Sequence, residues 1–215
     1  MKHTEKELQQ LKDSLIQMWH LVLSQLEKTE QAFLEHTPEL AREVIHKEKR
    51  VDAFELKMDA DVENFIALYA PVAIDLRLVL SIMKISSSLE RIGDFCESIS
   101  EYVLKNTLIE DDLLDKLKFN SLFSESFGML SDCLKCFENE DISIAGKVIL
   151  QDDLIDEIYR NSFELLKQNV TDLSNSLALV IFLRKLERIG DHCSNIMEEI
   201  VFYMDAKVLK HKYHN

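Results

Sequence analysis

The chain has 215 residues, 47% of them apolar, enough to bury a core in one large domain or two small ones. Its 39 Asp and Glu against 25 Lys and Arg leave a net charge of −14, which repels phosphate backbones and anionic headgroups and so excludes nucleic acid as an expected partner. Only four Gly and two Pro are available for hairpins and tight turns, while Leu, Glu, Lys, Ile and Ala favour helix, so the expected class is all-α.

The polar start Met1-Lys2-His3-Thr4-Glu5-Lys6-Glu7 has no signal-peptide core. The longest wholly apolar run, Leu177 to Leu183, falls far short of the roughly 20 residues of a membrane span. A cytoplasmic protein without a transmembrane segment is expected. All four Cys sit in apolar helical stripes, which suits reduced thiols.

Thr37-Pro38-Glu39 reads as an N-cap, a first helical position and an acidic first turn, so one helix ends near Glu35 and the next begins there. Pro71 marks a second break. Polar stretches around 105–112, 138–143 and 170–175 mark three more. Six helices follow, divided near Asp111: a first three-helix unit over 1–109, a second over 110–208, and a tail over 209–215.

The two units are an internal duplication. Glu90-Arg91-Ile92-Gly93-Asp94 recurs 97 residues later as Glu187-Arg188-Ile189-Gly190-Asp191, and Cys96 and Ile99 recur as Cys193 and Ile196. Upstream, Ala41, Val44, Ile45 and Asp52 match Ala145, Val148, Ile149 and Asp156 at an offset of 104. The second copy is therefore seven residues shorter, about one helical turn from each arm of a hairpin, which leaves both apolar faces unrotated. The third helix of each unit carries a seam spaced alternately four and three: Leu78, Ile82, Ile85, Leu89, Ile92, Cys96, Ile99 and Val103, then Phe182, Leu186, Ile189, Cys193, Ile196, Ile200 and Tyr203. The expected fold is a tandem duplication of two antiparallel three-helix bundles.

Glu90 and Asp94 lie on one helix face, where two like charges repel unless a cation sits between them. In an antiparallel hairpin, residues level with one another share a midpoint. Glu48 with Asp94 and Asp52 with Glu90 share Pro71; Asp152 with Asp191 and Asp156 with Glu187 share a point between Thr171 and Asp172. Each unit thus brings four carboxylates level, a donor set that suits a hard cation such as Mg²⁺, Mn²⁺, Ca²⁺ or iron. Glu97 and Glu101 extend the first patch and Glu198 the second. All lie just off the apolar seam, so a surface or flank site is expected rather than a buried cage. Gly93 and Gly190 each cost up to ~1 kcal/mol in mid-helix, which close helix packing would explain, with room for a ligand as the second account.

Other candidates are weaker. Glu43-x-x-His46 lacks the second Glu-x-x-His that a di-iron site needs. Cys133-x-x-Cys136 lacks a second ligand pair and reads as core packing. His192 points about 100° away from Asp191 and reads as structural. His211 and His214 fall in the tail. Glu55-x-x-x-Asp59 has aromatic counterparts, Tyr159 and Phe163, and reads as a private surface feature. Leu177 to Leu183 is apolar all round its helix and must be covered, which points to a homodimer or partner surface.

Glu-Arg-Ile-Gly-Asp leading into His192-Cys193-x-Asn195-Ile196, with Pro71-Val72-Ala73-Ile74-Asp75-Leu76-Arg77 opening the third helix, resembles the PhoU family of phosphate-signalling proteins. The resemblance covers nearly the whole chain. It implies two similar three-helix bundles and multinuclear clusters of divalent or trivalent ions (iron, Mn, Mg or Zn) at Glu48 with Asp52, Glu90 with Asp94, Asp152 with Asp156, and Glu187 with Asp191. It also implies a non-enzymatic cytoplasmic adaptor that restrains phosphate uptake and phosphate-starvation signalling, with the phosphate ABC transporter ATPase and a sensor histidine kinase as partners. Another phosphate or metal transporter is the alternative setting, and a carboxylate-bridged metal enzyme a third. Asp75 and Arg77 are candidate partner-binding residues; the second copy reads Asp172-Leu173-Ser174, so Arg77 is not duplicated.

Overall fold

The structure, a computed structural model, describes residues 2–105, 111–168 and 173–205. Within them the chain is all-α: α1 (Lys2–Leu34), α2 (Pro38–Tyr69), α3 (Ala73–Lys105), α4 (Asp111–Lys116), α5 (Phe119–Asn139), α6 (Ala145–Gln168) and α7 (Leu173–Asp205). The expected boundary at 109, the Thr171–Asp172 fold-back, His211, His214 and the 209–215 tail lie outside the described residues.

Helices α1, α2 and α3 pack as one antiparallel bundle and α5, α6 and α7 as a second. Pro38 does open α2 at its first turn with Glu39 beside it, but the Thr37 hydroxyl makes no capping hydrogen bond. Seven described helices replace the expected six. The left-handed backbone of Lys118 (φ 57°) interrupts the first helix of the second unit, leaving α4 as a short piece anchored by buried Leu114.

The third-helix seams are buried as their spacing requires, with Val103 alone half-buried, and both bundles share one continuous apolar core. Helices α3 and α7, equivalent in the two units, pack antiparallel against each other. Arg77 Nε donates to the Tyr203 carbonyl (3.3 Å), Ser81 Oγ to the Glu199 carbonyl (3.1 Å), and Lys84 pairs with Glu199 (2.8 Å). Farther along, the Lys185 ammonium lies 5.5 Å from the centre of the Phe95 ring and Tyr102 meets Phe182 edge-on at 4.7 Å. Numbers rise on one helix as they fall on the other, so the units are related by an approximate two-fold near Arg91 and Arg188. Phe95 and its repeat equivalent His192 meet on that seam, ring centres 5.9 Å apart.

A second joint is Trp19 of α1, fully buried, whose Nε1 donates to the Leu130 carbonyl of α5 at 3.1 Å. Truncation there leaves a cavity between bundles, so Trp19→Ala is expected to cost about 3–5 kcal/mol in urea unfolding. Ala70 ends α2 in the left-handed region (φ 44°), its N–H bonded to Ile66 O at 3.1 Å. Glycine adopts that conformation without the Cβ penalty. Ala70→Gly is therefore expected to raise Tm by about 1–4 °C, for a gain of roughly 0.5–1 kcal/mol.

Among the described residues no helix is long and apolar enough to cross a membrane. The apolar run of α7 is covered on one side only: Leu179, Phe182 and Leu183 are buried, whereas Leu177 and Ile181 are 56% and 54% exposed.

Candidate metal centre

In the first unit level pairing works because α2 and α3 fold back around Pro71. Glu48 projects from α2 beneath α3, where it is 3% exposed. A Cβ placed on Gly93 would stand 2.7 Å from both Glu48 carboxylate oxygens. The missing side chain of Gly93 is thus the space that the Glu48 carboxylate occupies. Gly190 repeats the arrangement, its Cβ position lying 2.8 Å from Asp152 Oδ1. The glycines make room for a carboxylate from the neighbouring helix.

Oxygens of Glu48, Asp52 and Asp94 all lie within 4.8 Å of one another. Gln25 of α1 donates to Glu48 Oε2, leaving Oε1 buried without a partner. Glu90 flanks the group, pairing through Oε2 with Arg91 at 3.4 Å; Arg91 also reaches Asp94 at 2.9 Å. Burial pushes Glu48 up to about 8, against the Gln25 hydrogen bond, with repulsion from Asp52, Asp94 and Glu97 adding to it. Burial and Asp94 push Glu90 up to about 7. Glu55, half-buried one turn beyond Asp52, adds repulsion to Glu90. Glu97 is raised by burial and by Glu101, which sits at the exposed end against Lys105 (3.2 Å).

In the second unit Asp152 accepts from Ser194 Oγ at 2.7 Å and keeps Oδ1 buried without a partner. Glu187, 8% exposed, pairs with Arg184 through Oε1, and its Oε2 is likewise orphaned. Burial raises Asp152 to about 6 and Glu187 to about 7, with Asp191 and Asp156 adding repulsion to each. Asp191 is raised by burial and by Asp156. Glu198 is half-buried on the same helix.

Both patches are deeper than expected: the apolar seam rotates Glu48 and Glu187 inward, while Asp52 and Asp191 stay at the mouth. Three buried carboxylate oxygens without partners, on Glu48, on its equivalent Asp152 and on Glu187, are costly alone and become favourable around a positive ion. Oxygen-only donors fit a hard cation. The residues that would hold one are Glu48, Asp52, Glu90 and Asp94, and in the second unit Asp152, Asp156, Glu187 and Asp191.

The remaining candidates stand apart. Asp75 is half-buried at the start of α3, and Arg77 is engaged with Tyr203 across the bundle seam. Cys133 and Cys136 are free thiols in the core. His192 packs on Phe95, where burial, with Arg188 and Arg91 nearby, lowers its pKa to about 4. Sequence reasoning missed Gln25, Ser194 and Arg184; the last two differ from their repeat counterparts Glu97 and Ser87, a mismatch that the repeat alignment displays.

Two fused three-helix bundles with a carboxylate patch on each define a tandem-repeat helical protein. The PhoU domain matches residues 15–103 and 119–200, and the chain belongs to the PhoU family. It is 31% identical over 214 residues to the phosphate-specific transport system accessory protein PhoU homolog 1 of Thermotoga maritima, covering 97% of this chain and 91% of that protein. It is 30% identical over 209 residues to phosphate-specific transport system accessory protein PhoU of Escherichia coli, covering 95% and 86%. The crystal structure of the phosphate transport system regulatory protein PhoU from Streptococcus pneumoniae superposes with a TM-score of 0.84 at 26% identity, over 96% of this chain and 99% of that one.

Proposed function

We propose that this chain is a non-enzymatic, cytoplasmic adaptor that lowers phosphate import and phosphate-starvation signalling, using carboxylate patches that bind metal ions. Family membership and relatives named as accessory and regulatory proteins of phosphate transport support the role. The phosphate ABC transporter ATPase and a sensor histidine kinase are the proposed partners, and a homodimer the proposed state. The observation that carries the metal reading is the Glu48, Asp52 and Asp94 cluster, with one Glu48 oxygen buried and unpartnered. The division at residue 109 is the working domain boundary.

A pull-down from phosphate-replete cells is expected to recover the phosphate ATPase. Recovery of a different transporter without it would sink the adaptor reading. Elemental analysis of purified protein tests the metal: Glu90→Gln with Asp94→Asn should lower the bound metal, and equal content in the double variant would remove the first patch from consideration.

A further inference from the structure

The two patches occupy equivalent positions with unequal chemistry. The first unit has Glu48, Glu55 and Glu97 where the second has Asp152, Tyr159 and Ser194. It has Ser87 where the second has Arg184. Each change works against a cation in the second patch. Asp152 is one methylene shorter than Glu48, and among the described residues only the first patch brings three carboxylates within 4.8 Å. Ser194 supplies a hydrogen-bond donor to Asp152 where Glu97 supplies charge. The Arg184 guanidinium lies 5.7 Å from the centre of the Tyr159 ring and is ion-paired with Glu187, whereas in the first patch Arg91 pairs with Glu90 and Asp94 and leaves a Glu48 oxygen without a partner. Arg91 and Arg188 occupy equivalent positions, and Arg91 pairs with Glu90 and Asp94, so Arg184 is the cation that the second unit has in addition.

Resting on the metal reading above, we propose that the patches are inequivalent cation sites: the first unit binds a hard metal ion tightly, while Arg184, held between Tyr159 and Glu187, serves the second as a resident cation that opposes metal entry. Arginine keeps its charge at every working pH, so it competes with the ion rather than yielding by deprotonation. Its planar face suits the aromatic shelf that Tyr159 provides. The first patch then fills at low metal concentration and the second only at higher concentration, so one chain responds to metal over two ranges.

Titration calorimetry of the full chain with Mn²⁺ tests this, with circular dichroism checking each variant's helix content. Wild type should show a tight and a weak class of site. E48Q/D94N should abolish the tight class, and D156N/D191N should leave it intact. R184Q and, independently, Y159E should each tighten the weak class by roughly tenfold, because one removes a repelling unit charge and the other restores an attracting one. A tight class lost equally to both double variants would overturn the inequality while leaving metal binding standing. An unchanged weak class in both R184Q and Y159E would overturn the role of Arg184. No heat from wild type at millimolar Mn²⁺ would overturn the metal reading itself.

Discussion

At pH 8 and with metal chelated, Glu48→Gln will unfold at a higher temperature than wild type. The Glu48 carboxyl is held at about 8 in the folded chain against an ordinary value of 4.5, because it is buried beside Asp52, Asp94 and Glu97. Between those values the native state binds a proton that the unfolded state has released, so wild-type stability falls as pH rises from about 4.5 to about 8. Below about 4.5 both states carry the proton and the variant has no advantage. Glutamine keeps the shape and an oxygen for the Gln25 donor but carries no charge. The expected gain at pH 8 is on the order of 2–4 kcal/mol, discounted for relaxation around the buried group. Excess Mn²⁺ reverses the order, since ligand binding to the native state alone adds stability that the variant forgoes. Thermal unfolding at pH 5 and pH 8, with chelator or Mn²⁺, reads all four conditions; a variant no more stable than wild type in chelator at pH 8 would contradict the placement of Glu48.

Gly93→Ala should separate fold from site. In a helix interior alanine is favoured over glycine by up to ~1 kcal/mol. Here the new methyl falls 2.7 Å from both Glu48 oxygens, and the flexible end of Glu48 must leave its place under α3. The hydrogen bond from Gln25 goes with it, costing about 1 kcal/mol. The two effects offset, so Tm should stay within about 4 °C of wild type, while Mn²⁺ affinity at the first patch drops by at least about tenfold as one donor is withdrawn. Unchanged affinity in the calorimeter would mean that Glu48 is not a donor. Gly190→Ala should cost more stability, because its methyl also meets the core side chain of Ile155 at 3.2 Å, which has less freedom to retreat.

The patches are legible in the sequence to an unusual depth because antiparallel hairpins convert numbering into level. Once Pro71 is read as the fold-back, Glu48 must stand beside Asp94, and the structure brings them together. The repulsion of Glu90 by Glu55 was not legible in this way: the counterpart Tyr159 argued for a private feature, and the field of Glu55, one turn beyond Asp52, follows from its placement near Glu90. Gln25 could not be found by level at all, since it reaches Glu48 from α1, and the rotation of a third helix about its axis follows from packing rather than from hairpin register. The break at Lys118 was likewise hidden, because a lysine in the left-handed region carries none of the glycine or asparagine signal of such a position.

The sequence by itself determined the helical class, the duplication, the seams and the eight carboxylates, since these follow from spacing along single helices and from the shared midpoint of each hairpin. Tertiary structure alone decided how deep those carboxylates sit, why Gly93 and Gly190 are glycine, and that α3 and α7 join the units back to back. Those outcomes depend on how much space neighbouring helices leave, and a buried oxygen without a partner is recognisable only when every surrounding atom has been placed.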